Sequence, residues 1–231
     1  MKTVGVIGGT GPESTVEYYR LMIASYQEQR PDGSYPPIII NSIDLKKMLD
    51  LVAAGEMAAV TEYLAGEVRK LERAGADFGL LAANTPHVVF DDLSRQSPLP
   101  LLSIVEATAE EAKALGLKRL GLFGTRFTMR GRFYPDVFSR EELELVMPDE
   151  EEQSYVHDKY MRELVKGVFL PETRGRLLAI AARMKEQQGI EGLILGGTEL
   201  PLILSDDDES PVPLLDTTRI HVKAAVARML S

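Results

Sequence analysis

The chain of 231 residues has no cysteine and no tryptophan, and it has only three histidines, His87, His157 and His221. The lack of cysteine excludes disulfides and thiolate metal sites. The histidines show no metal-ligand spacing, so no metal is expected. Positive charge is in deficit, with 26 Lys and Arg against 35 Asp and Glu, for a net charge of −9. No basic stripe with interleaved aromatics occurs, which argues against a nucleic-acid partner. No run approaches the roughly 18 apolar residues of a membrane span, which argues against a membrane. Met1-Lys-Thr-Val-Gly5 runs directly into a strand with no signal peptide, so the cytoplasm is the expected compartment. What is present is a hydrophobic content of 45%, enough for a real core in one large domain or two small ones.

Two stretches carry the pattern of a buried strand that opens into a site. Phe78-Gly-Leu-Leu-Ala-Ala-Asn-Thr-Pro-His87 is an apolar run that stops at Asn84, Thr85 and His87. Gly192-Leu-Ile-Leu-Gly-Gly-Thr-Glu-Leu-Pro201 repeats the form, ending in small residues, Thr198 and Glu199. Ala83 and Gly197 correspond at an offset of 114 residues. A second pair, Lys2-Thr-Val-Gly-Val-Ile-Gly-Gly-Thr10 and Lys118-Arg-Leu-Gly-Leu-Phe-Gly-Thr125, aligns Gly5 with Gly121 at an offset of 116. Two segment pairs at nearly one offset indicate a duplicated unit. Strands alternate with helices throughout, so the sheets should be parallel. The expected fold is α/β: two similar domains related by a pseudo-twofold, each a mainly parallel sheet flanked by helices, with a ligand cleft between. The first domain takes residues 1–98 and about 208–231, the second about 99–207.

The first strand, residues 3–8, ends in Gly8-Gly-Thr-Gly-Pro-Glu-Ser-Thr15. A helix over 12–29 follows, with Val16, Tyr19, Met22, Ile23 and Tyr26 at helical spacing. The glycines fit a loop that receives a carboxylate at the helix N-terminus, or a plain strand-to-helix turn. A dinucleotide loop fits less well, because Ser14 stands in the third glycine slot and Pro12 interrupts. The strand Ile38–Ile40 ends in Asn41 and Asp44 at the carboxyl edge, where open α/β sheets bind ligands. A helix over 55–74 leads to the Phe78 strand. Beyond it come a strand near 98–103, a helix over 105–115, the 118–123 strand ending in Thr125 and Thr128, a strand near 143–147, and helices over 150–166 and 172–188. Pro213–Asp216 is a late strand and 217–230 a closing helix, both expected to return to the first domain. Asp149–Glu152 and Asp206–Glu209 read as solvated loop or helix-start faces.

These strand ends resemble the aspartate/glutamate racemase family over nearly the whole chain. Ile7-Gly-Gly-Thr-Gly-Pro12 looks like that family's opening loop. Asn84, Thr85 and His87 look like its C-N-T-x-H motif, and Gly197-Thr-Glu-Leu200 like its G-C-T-E motif. Lys166-Gly167 sits where many members carry a lysine. The resemblance implies a cofactor-independent isomerase, an amino-acid racemase acting on aspartate, glutamate or a related amino acid, without pyridoxal phosphate, and a homodimer. In such an enzyme one thiol from each domain faces the substrate α-carbon; one removes the α-proton and the other returns it on the opposite face. Here the two thiol positions are Ala83 and Gly197, and neither side chain can carry a proton.

The ionisable groups left are Glu199, His87, Lys166 and Asp44. Glu199 reads either as a general base or as a group at a helix N-terminus. His87 reads as a structural hydrogen-bonding group or a catalytic one. Lys166 either offsets a helix dipole or binds a substrate carboxylate. Thr10, Asn41, Asn84, Thr85, Thr125, Thr128 and Thr198 are candidate donors to the substrate. Three readings stay open: a replaced cysteine at Gly197 in a working enzyme, a silent homologue that binds a small carboxylate or amino acid, and a racemase or lyase with another base such as Glu199.

Overall fold

Short apolar runs between amphipathic helices become two parallel sheets in the computed structural model, which describes residues 1–205 and 210–231. The first run of elements is β1 (Val4–Gly8), α1 (Pro12–Gln29), β2 (Ile38–Ser42), α2 (Leu45–Ala53), α3 (Met57–Arg73), β3 (Phe78–Leu81), a 3₁₀ turn (Thr85–Val89), α4 (Phe90–Gln96) and β4 (Leu101–Leu102). The second is α5 (Ile104–Ala114), β5 (Arg119–Gly124), α6 (Arg126–Arg130), α7 (Phe133–Arg140), β6 (Glu144–Val146), α8 (Glu150–Arg162), a 3₁₀ turn (Leu164–Lys166), α9 (Pro171–Gln188), β7 (Gly192–Gly196), α10 (Leu200–Ile203), β8 (Leu214–Asp216) and α11 (Thr217–Leu230).

The sheets run β2-β1-β3-β4 and β6-β5-β7-β8, each parallel throughout. The strand order is therefore the same in both, as a duplicated unit requires. The matched glycines have a common physical cause. A Cβ on Gly5 of β1 would lie 3.0 Å from Ala76 and Leu71, and one on Gly121 of β5 would lie 3.0 Å from Ile190 and Leu193. In each sheet a central strand gives up a side chain so that neighbouring apolar groups can close over it. The central strands β1, β3 and β7 are buried at every residue, which explains their uninterrupted apolar runs.

The chain divides into two compact units, Met1–Ile104 with His221–Ser231, and Val105–Ile220. The late strand differs from the sequence reading. β8 pairs with β7, with Leu193 opposite Leu214, so it completes the second sheet instead of returning to the first unit. Only the residues from His221 onward belong with the first unit.

Three local readings are also corrected. α1 buries Tyr18, Met22 and Tyr26, while Val16 and Tyr19 are exposed. Met22 and Tyr26 are buried as their spacing predicts, but Tyr18 takes the inward place in the first turns, where its hydroxyl reaches His221 Nδ1 at 2.9 Å. An unforeseen helix, α2, precedes α3; Asp44 starts it by accepting hydrogen bonds from the Lys46 and Lys47 amides. Glu152 is buried, not solvated. It closes a capping box with Asp149 and takes two hydrogen bonds from the Arg183 guanidinium. The acidic run Asp206–Glu209 lies outside the described residues.

Candidate functional site

In the first unit the carboxyl ends of β1, β2 and β3 lie side by side, with Ile7 opposite both Asn41 and Leu81. The loop after β1 is wired from within. Gly9 N–H donates to Thr15 Oγ1 at 2.8 Å, and Ser14 Oγ donates to the Ala82 carbonyl at 2.8 Å. Gly9 takes a left-handed φ of 77°, and a Cβ there would sit 2.5 Å from the Ile43 carbonyl oxygen. This glycine thus serves close backbone packing, and its amide is already committed. Thr10 is different. Its Oγ1 is closed to solvent and has no hydrogen-bond partner among the described residues. A buried polar atom left unpaired calls for an explanation, and at the carboxyl edge of a parallel sheet a ligand is the first candidate.

After β3, Asn84 is buried and its carbonyl accepts from the His87 amide at 3.0 Å. Thr85 is half-buried and begins the 3₁₀ turn. Ala83, half-buried, presents only a methyl group, and its carbonyl is bonded to His87 Nδ1 at 3.0 Å. The Ile104 amide donates to His87 Nε2 at 3.2 Å, so that nitrogen carries no proton and Nδ1–H is the donor to Ala83. Both ring nitrogens are therefore spent on the backbone. Burial, with a smaller contribution from His221, pulls the His87 pKa down to about 3, so the ring is neutral. His87 fixes the backbone at residue 83; it is not a proton carrier in this state. Asn41 is also occupied. Its Nδ2 donates to the Glu67 carboxylate at 2.7 Å, and the same carboxylate takes Lys70 Nζ. Asp44 is spent as the α2 cap.

In the second unit Thr125 begins α6 and accepts from the Thr128 amide, and the two hydroxyls pair at 3.2 Å. Thr128 is buried and Thr125 half-buried. Lys166 is exposed at the end of a 3₁₀ turn, just before the left-handed Gly167. The dense constellation lies after β7. The Thr198 hydroxyl donates to Glu199 Oε2 at 2.8 Å, and the Tyr160 hydroxyl donates to the same oxygen. Glu199 stands at the start of α10, yet its side chain makes no capping bond there. The helix-capping role is replaced by this pairing.

Tyr160 is the site residue that the sequence does not reveal. It lies on α8, which is held at both ends. The N-terminal end has the capping box and the Arg183–Glu152 pair. At the C-terminal end the Glu163 carboxylate takes Lys159 Nζ and the Thr173 hydroxyl, the latter at 2.6 Å. Burial, and then the neighbouring Glu199 charge, drive the Tyr160 pKa well above that of a free phenol, so it remains an O–H donor. Its ring lies against Gly197, where a Cβ would fall 2.5 Å from Cε2 and 2.7 Å from the hydroxyl oxygen. An aromatic residue in an otherwise polar helix pattern gives no hint of that contact; only the missing side chain at residue 197 implies that something must fill the space.

Among the described residues, no group of three or more His, Asp or Glu could hold a metal ion, and no helix is long and apolar enough to cross a membrane.

The whole chain is similar in fold to an aspartate racemase homologue from Pyrococcus horikoshii OT3, at 36% identity and a TM-score of 0.90, with full coverage of both chains. It also has the fold of the Picrophilus torridus aspartate racemase, at 22% identity, a TM-score of 0.75, and coverage of 99% of this chain and 94% of that one. In sequence it is 26% identical to the broad specificity amino-acid racemase RacX of Bacillus subtilis (strain 168), over 99% of this chain and 98% of the relative. The family described as Asp/Glu/Hydantoin racemase matches residues 7–225. With nearly the full length accounted for, the chain belongs to the Asp/Glu/hydantoin racemase family.

Proposed function

We propose that this chain binds a small carboxylate, above all an acidic amino acid, at the polar strand ends just described, and that it does not interconvert enantiomers by paired thiols. The observation that carries the binding half is the Thr10 hydroxyl, enclosed just past β1 and unpaired among the described residues. In the first unit Asn84 and Thr85 supply further polar groups at the same sheet edge; in the second unit Thr125, Thr128 and Thr198 stand at the strand ends of its own sheet, with Lys166 on a turn. The similarity to RacX and to the aspartate racemase homologue supports an amino-acid ligand. The second half follows from Ala83 and Gly197, which stand at the positions that the resemblance assigns to thiols. Removing one general acid or base costs on the order of 10²–10⁴ in rate, and here both are absent.

The test is direct titration of the protein with L-aspartate and L-glutamate by calorimetry, with thermal unfolding measured alongside. Saturable binding and a rise in Tm of the native state are expected, since a ligand that binds only the folded chain stabilises it by mass action. Thr10→Val should weaken binding by about tenfold, the effect of losing roughly 1.4 kcal/mol. Absence of binding to every acidic amino acid tested overturns the proposal.

A further inference from the structure

Gly197 is buried, yet its φ is not in the left-handed region, so backbone conformation does not demand a glycine there. Space does. A Cβ on residue 197 would meet Tyr160 at 2.5, 2.7 and 2.8 Å, at Cε2, the hydroxyl oxygen and Cζ. These atoms belong to a rigid ring in the core of the second unit, where Tyr160 packs with Phe123, Leu164, Leu195 and Leu200. The ring cannot swing aside as a flexible chain end could. The phenol thus fills the volume that a side chain at 197 would claim, and it brings a hydroxyl to the carboxyl end of β7.

That hydroxyl and the one on Thr198 both converge on Glu199 Oε2. Oε1 takes no hydrogen bond among the described residues. Glu199 is half-buried, not enclosed. One carboxylate oxygen is therefore fixed by two donors, and the other is left to accept. A carboxylate only accepts hydrogen bonds, and it repels another carboxylate; an ammonium group offers three donors and the opposite charge.

We propose that Tyr160 is a positioning residue: its ring takes the place of a side chain at residue 197, and its hydroxyl holds Glu199 so that the free carboxylate oxygen receives the ammonium group of an amino-acid ligand. This rests on the ligand-binding reading above and adds the part of the ligand that is recognised.

The experiment compares aspartate with succinate, which keeps both carboxylates and lacks the amine, by calorimetry on the full chain. Wild type should favour aspartate. Glu199→Gln should erase that preference while leaving succinate binding intact. Tyr160→Phe keeps the ring and removes only the hydroxyl. It should lower aspartate affinity about tenfold, in line with the loss of a hydrogen bond to a charged group, and lower Tm modestly for the same reason, without changing succinate affinity. A purely structural tyrosine would move both ligands together or neither. An unchanged aspartate-to-succinate ratio in Tyr160→Phe overturns the inference while the binding reading stands. Absence of binding of either ligand to wild type removes both.

Discussion

Gly197→Cys, introduced alone, is expected to destabilise the protein and to leave it without racemase activity. The new Cβ would stand 2.5 Å from Tyr160 Cε2, and the sulfur would have to go further into the same space. Overpacking of a filled core costs about 1–3 kcal/mol. For a chain of this size that lowers Tm by about 3–10 °C. Tyr160→Val alone should also destabilise, because it opens a cavity in the core of the second unit and removes a donor to Glu199. The double variant should be more stable than the sum of the two losses predicts, since the thiol would then occupy room that the phenol has left. Thermal or urea unfolding of all four proteins measures this coupling. Simple additivity would show that the ring and residue 197 do not compete for one volume. The practical consequence is that restoring a cysteine at 197 is not by itself a repair.

The second large effect is acid destabilisation centred on His87 and His221. Both rings are fully buried and neutral. His87 is held by the Ala83 carbonyl and the Ile104 amide. His221 Nε2–H donates to the Leu102 carbonyl at 3.1 Å, and its Nδ1 accepts from Tyr18. Burial lowers their pKa values to about 3 and about 4 from the ordinary 6.5. As pH falls below 6.5 the unfolded chain takes up protons that the native chain refuses, so stability is present above 6.5 and is lost downward. The loss runs to about pH 4 for His221 and about pH 3 for His87. At pH 5 each histidine contributes a loss of about 2 kcal/mol relative to pH 8, or about 4 kcal/mol together. His157, also shifted down by burial, acts in the same direction. Urea unfolding at pH 8, 6 and 5 should show this decline, with about two protons taken up on unfolding near pH 5.5. A flat profile between pH 8 and 5 would show that the rings protonate freely in the native state.

Much of this protein is legible in its sequence for simple reasons. A strand buried on both faces must be apolar throughout, and it must turn polar where it leaves the sheet; β1, β3 and β7 obey this, and β5 does so after Arg119, so their ends are visible as candidate site positions. The matched glycines at 5 and 121 mark equivalent close approaches in two sheets of the same strand order. Side-chain partnerships were not legible. Asn41 looks like a ligand donor until Glu67 is seen to take its amide, and Asp44 looks like a free acid until it caps α2. The inward place of Tyr18 on α1 is not legible either, since its partner His221 is 203 residues away in sequence. Tyr160 gives no sign in the sequence because its role depends on the absent side chain at residue 197.

Ligand binding without loss of the α-proton is the property that distinguishes this chain from a working racemase. The measurement is proton NMR of L-aspartate and L-glutamate in D₂O with saturating protein, followed by chiral analysis of the same samples. The account predicts that the α-proton signal persists and that no D-enantiomer accumulates, although both amino acids are bound. Disappearance of that signal would contradict it, and disappearance that is itself abolished by Glu199→Gln would establish Glu199 as a base in place of the thiols.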